Sequence, residues 1–111
     1  MIFAIETEER SLVVFPGEDE AIGYCEGLDV EAGVWLFWAA DGSPLVAEFT
    51  TPNSRGLFSV KNGTYRLISA TPELQADLSE AIDHVLHVES NPFFSSTLEI
   101  REHIARLAAG T

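Results

Sequence analysis

The run Val34–Ala40 constrains the fold most, because it is apolar at every position. Side chains alternate between the two faces of a strand, so a run with no polar face must be covered on both sides. It predicts a central strand with helices on one side and some other cover on the second. Asp41-Gly42 behind it is a hairpin signal, lengthened by Ser43-Pro44, and Leu45–Thr50 returns as the partner strand.

Upstream, Ile2–Ile5 and Leu12–Phe15 are short β-rich runs flanking a charged stretch, which predicts a first hairpin. Pro16-Gly17 ends it. Glu18, Asp19 and Glu20 then open a short helix, where carboxylates suit the positive end of the helix dipole. Ile22, Cys25 and Leu28 form its inner stripe, and Gly27 ends it. Downstream, Leu57–Val60 and Thr64–Ser69 flank Asn62-Gly63, the strongest short hairpin signal in the chain. At Thr71-Pro72 the apolar period becomes helical. Thr71 is the N-cap, Pro72 the first helical residue, and Leu74, Leu78, Ile82 and Val85 follow at helical spacing. Asn91-Pro92 breaks the chain. Ser96 to Glu99 is a capping box ahead of a last helix lined by Ile100, Ile104, Leu107 and Ala108 and closed by Gly110. The order β-β-α-β-β-β-β-α-α is that of an α+β domain: a largely antiparallel sheet of about six strands with helices packed on one face. The 111 residues hold one such domain, 1–111.

Charge sorts the function classes. Eighteen acids stand against six bases, a net −12. Residues 1–50 carry eleven acids and one base, 51–70 three bases and no acid, and 71–111 seven acids and two bases. Such a surface repels phosphate and anionic lipid and speeds encounter with cationic surfaces, which points to a basic protein partner and away from nucleic acid or membrane. Arg55, Lys61 and Arg66, interleaved with Phe58 and Tyr65, are too few for a nucleic-acid footprint. They suit pairing with the protein's own acids or with an acidic patch on a partner. No apolar run approaches the ~20 residues of a membrane span. The start, Met1 to Glu6, lacks a basic signal-peptide opening, and the single Cys25 permits no internal disulfide. A cytoplasmic protein is expected.

The chemistry-bearing residues form no catalytic pattern. Glu80, His84 and His87 come closest to a metal set, since at i, i+4 and i+7 of one helix they lie within about 60° of one another. The apolar stripe of that helix faces the other way, so the trio reads as a solvated face, and no metal or cofactor is expected. Ser79, Ser90, Ser95 and Ser96 lie in no Gly-x-Ser-x-Gly elbow. Cys25 sits on the apolar stripe of an acidic helix, where a thiol stays protonated. No glycine-rich phosphate loop exists. A binding protein is expected, not an enzyme. Trp35 and Trp38 face opposite sides of their strand, either both as core or one of them within a binding face.

A strongly acidic α+β domain of ~100 residues without catalytic motifs resembles the immunity proteins of bacterial polymorphic toxin systems, those of contact-dependent growth inhibition in particular. The stretches Tyr24–Val30, Trp35–Trp38 and Asn53–Val60 carry the likeness. The resemblance implies a protein that binds a cognate toxin domain, often a basic nuclease, and blocks its active site. Two acidic patches are candidates for that contact, around a Trp, Phe or Tyr anchor. One is Glu18, Asp19, Glu20, Glu26, Asp29 and Glu31 near the first helix. The other is Glu73, Asp77, Glu80 and Asp83 on the outer face of the second. The alternatives are a nucleic-acid mimic that inhibits a housekeeping protein, and a small metal-binding domain built on Glu80, His84 and His87.

Overall fold

The first hairpin is apolar on both faces, and the layering of the molecule follows from that. The computed structural model describes residues 1–57, 59–71 and 73–110. Strands β1 (Ile2–Glu6) and β2 (Ser11–Phe15) pair antiparallel from Ile2↔Phe15 to Glu6↔Ser11. Helices α1 (Glu18–Tyr24) and α2 (Gly27–Glu31) follow. Then β3 (Trp35–Ala39) pairs along the other edge of β1, and β4 (Pro44–Thr51) turns back from it. A separate two-stranded ribbon, β5 (Ser54–Arg55) with β6 (Val60–Lys61), precedes β7 (Thr64–Ser69), which pairs along β4. After α3 (Leu78–Ala81) and a 3-10 turn (Ile82–His84), β8 (His87–Val88) lies parallel to the free edge of β2, and α4 (Thr97–Ala109) ends the chain. The mixed sheet has the order β7-β4-β3-β1-β2-β8, so the α+β class and a six-stranded sheet stand, but the strand expected over Leu57–Val60, whose Phe58 lies outside the described residues, does not join it, and β8 takes the sixth place.

The helices do not share one face, which corrects the sequence expectation. Alternation along β1 sends Phe3 and Ile5 to one side, where they join Leu12, Val14 and Trp38 beneath Leu78, Ile82 and Ile100. It sends Ile2 and Ala4 to the other, where they join Phe15 and Phe37 beneath Ala21 and Cys25. Both sets are large and apolar, so each needs its own cover: α3 and α4 on one side, α1 on the other. Burying each of the larger side chains contributes about 1.5–3 kcal/mol. Cys25, at the C-cap of α1, is buried as expected, but Ala21 is its buried partner, and Gly27 opens α2 instead of ending α1.

The helix expected from Thr71 onward is also much shorter. Pro72 lies outside the described residues, and Leu74 is 84% exposed. The segment before α3 crosses β3 instead: the Ala76 carbonyl accepts the Trp38 indole N–H at 2.8 Å, and the Gln75 amide donates to the Phe37 carbonyl at 2.9 Å. After the 3-10 turn the chain leaves helical geometry to join β2, with Leu86 N–H on the Arg10 carbonyl and Glu89 N–H on the Leu12 carbonyl. The β-branched residues Val85 and Val88 suit that change. Glu80, His84 and His87 therefore sit on three different elements, and among the described residues no group could hold a metal ion.

The Asn62-Gly63 hairpin does not form, because β7 pairs with β4 and β6 with β5. Asn62 is spent elsewhere: its side-chain oxygen accepts the Leu28 N–H at the start of α2. Gly63 is needed for close approach, since a Cβ there would lie 2.1 Å from the Thr51 carbonyl oxygen. Asn53 ties the same point together, accepting Gly63 N–H at 2.6 Å and donating to the Gly27 carbonyl at 3.0 Å. This knot fixes the β5–β6 ribbon beside α2.

Candidate functional site

One end of the α1/α2 face carries a concave acidic bowl of about 260 Å³. Its floor is an aromatic pair: Tyr24, the last residue of α1, meets Trp35, the first of β3, edge-on with ring centroids 5.8 Å apart. Phe15 backs Tyr24 at 5.5 Å. Tyr24 is nevertheless 63% exposed, and Trp35 is half-buried. Around them stand Glu6, Glu8, Glu9, Asp29 and Glu89.

Local structure brings these acids together. Glu6 ends β1 opposite both Ser11 and Trp35, and its carboxylate accepts the N–H groups of Glu8 and Glu9 at 3.0 and 2.8 Å. Arg10 closes that turn with φ +57°, in the left-handed region. The turn is fastened to the loop before β3 by Thr7, whose N–H bonds the Val34 carbonyl and whose hydroxyl donates to the Gly33 carbonyl. Asp29 projects from α2, and Glu89 follows β8 with His87 3.5 Å away, an ion pair only when the imidazole is protonated. Among the described residues no cation pairs with Glu8, Glu9 or Asp29. Three carboxylates are thus held at a partly exposed aromatic pair without neutralisation, which costs self-repulsion and favours an incoming cation. A Lys or Arg placed over the Trp35 ring gains from the ring and from the acids together.

The other predicted contact residues divide into engaged and free. Glu31 is bonded to Asn53 and Arg55, and Glu18 accepts the Leu67 N–H at 2.7 Å on the outer edge of β7, so both serve the fold. Asp83 is paired with Arg101. Asp19, Glu20 and Glu26 are exposed but lie outside the bowl, as do Glu73, Asp77 and Glu80. The second patch is no helix face: Glu73 lies in a turn, Asp77 stands at the N-cap position of α3 without a side-chain capping bond, Glu80 is on α3 and Asp83 on the 3-10 turn. Of the ten, Asp29 alone lines the bowl. The basic stretch pairs with the protein's own acids, Arg55 with Glu31 and Arg66 with Glu48. Such exposed pairs contribute about 0–1 kcal/mol each. Glu8 and Glu9 belong to the charged stretch between the first two strands, and only the β1–β3 register, which sets Glu6 beside Trp35, brings them to the aromatic pair.

The remaining reactive groups are quiet. Cys25 is buried, and burial first and the Asp29 charge second push its thiol up to about 12. Trp38 is core, so of the two tryptophans only Trp35 reaches the bowl. No helix among the described residues is long and apolar enough to cross a membrane. Comparison with protein-family models, with curated proteins and with solved structures gives no match.

Proposed function

We propose that this protein is an inhibitory binding module of the toxin-immunity type, acting in the cytoplasm without enzymatic chemistry of its own. The bowl receives a Lys or Arg of a basic partner. That partner is a toxin domain, of the nuclease kind, whose cations must stay accessible to hold phosphates. Carboxylates that occupy those cations exclude the substrate, and the −12 field steers the encounter. The observation that supports this reading is the set Glu8, Glu9 and Asp29, with no cationic partner among the described residues, around Tyr24 and Trp35.

Co-expression with the product of the adjacent gene tests it. Relief of toxicity and a stable complex are expected. The variant carrying Glu8→Lys, Glu9→Lys and Asp29→Lys should associate at least about tenfold more slowly at low salt, with the difference shrinking as salt screens it. A neighbour that is neither toxic nor bound, or an unchanged rate, contradicts the reading.

A further inference from the structure

The ladder between β3 and β4 stops early. Only Phe37↔Leu45 and Trp38↔Pro44 are registered, although β3 runs back to Trp35 and β4 on to Thr51. Each strand is paired along its other edge, β3 with β1 over Trp35–Ala39 and β4 with β7 from Leu45 to Phe49, beyond which the register shifts before Thr51. The two strands therefore part beyond Phe37, where the Gln75 side chain bonds the last rung.

Hydrogen-bond alternation shows which backbone groups face the gap. Val34 C=O bonds Thr7, so Val34 points to β1 and Trp35 points away from it, toward β4. Pro44 C=O bonds Ala70, so Pro44, Val46 and Glu48 point to β7, while Ala47 and Phe49 point to β3. The main-chain N–H and C=O of Trp35, Ala47 and Phe49 thus line a cleft of about 230 Å³ whose side-chain walls are largely apolar. Trp35 lines both this cleft and the acidic bowl, so the two adjoin at that residue.

We infer that the cleft takes an extended segment of the basic partner by strand addition, with the segment's Lys or Arg falling in the bowl. Open strand edges call for main-chain donors and acceptors, which only an extended chain supplies in register. The apolar walls select small apolar side chains, and the neighbouring carboxylates select a cationic residue beside them. The inference rests on the functional reading above and sharpens it from a cationic surface to a strand with alternating apolar and basic residues.

The test uses the whole protein and a blocked hexapeptide alternating valine and lysine, followed by amide NMR. In the free protein the Trp35, Ala47 and Phe49 amides should exchange faster than those of Val46 and Glu48. With the peptide they should shift and become protected, and an N-methylated peptide with the same side chains should bind about tenfold more weakly. Ala47→Pro removes a donor that the β4–β7 ladder does not use, so the variant should fold and lose peptide binding. Equal binding of the methylated peptide, or shifts confined to the bowl, overturns strand addition and leaves the cation reading intact. No response to the hexapeptide or to trilysine removes both. Protection of the same amides in a peptide-free dimer, seen by light scattering, gives the cleft to a second copy and also overturns the inference.

Discussion

Replacing Tyr65 by Phe isolates one buried hydrogen bond that joins the two parts of the α1/α2 face. The Tyr65 hydroxyl donates to the Cys25 carbonyl at 2.6 Å, and the residue is 5% exposed. Cys25 caps the end of α1, so its carbonyl has no helical partner to fall back on. The ring contacts, 5.4 Å to Phe49 and 6.4 Å to Phe37, survive in the variant. What is lost is the bond, and what remains is a buried carbonyl without a donor, together costing about 1–3 kcal/mol. For a domain of this size that lowers Tm by about 4–12 °C. Urea unfolding should show a lower midpoint with the slope unchanged. Tyr24→Phe, at an exposed ring, should stay within about 0.5 kcal/mol of the parent. The pH dependence adds a second readout. Burial first, and Cys25 second, raise the Tyr65 phenol above its ordinary value. Its contribution is complete below the unfolded value of about 10 and is lost as pH rises through the folded one, so Tyr65→Phe should lose less stability on the alkaline limb. A variant as stable as the parent would refute the reasoning, since the carbonyl would then be hydrated and the link dispensable.

Other outcomes follow from the same geometry. Gly63→Ala sets a Cβ 2.1, 2.7 and 2.8 Å from backbone atoms of Thr51, Pro52 and Asn53, and should cost about 3 kcal/mol or more in denaturant unfolding. Gly33→Ala has open space but φ +81°, and should cost only about 1–2 kcal/mol; equal losses would show that the close approach at Gly63 is not the constraint. Native Cys25 should resist iodoacetamide at mildly alkaline pH and react only at the rate of unfolding, because burial, more than the Asp29 charge, keeps the thiol protonated. Rapid labelling of the native protein would contradict that.

Strong local patterns were legible in the sequence. The double-sided apolar run became an interior strand, Asp41-Gly42 became the β3–β4 turn with Gly42 at φ +88°, and Ser96 caps α4 by accepting the Glu99 N–H. Non-local competition hid the rest. The Asn62 side chain bonds Leu28, 34 residues away, and Gly63 is set by steric contact with Thr51, so a hairpin signal marks a packing knot instead. The period from Leu74 to Val85 looked helical, yet the Trp38 indole and the edge of β2 claimed its two ends. The bowl was least legible, because β1, β2, β3, both helices of that face and the residue after β8 contribute to it, and no spacing in the chain records their meeting.

On the proposed function, Tyr24, Trp35 and the carboxylates around them receive a cationic side chain. NMR titration with trilysine at low ionic strength tests it most directly. The Trp35 indole N–H and the Tyr24 ring resonances should move first and together, the buried Trp38 indole should stay in place, and added salt should reverse the change. Shifts spread evenly over Asp19, Glu20, Glu73 and Glu80 with Trp35 unmoved would contradict it, and would make the −12 charge a diffuse property without a site.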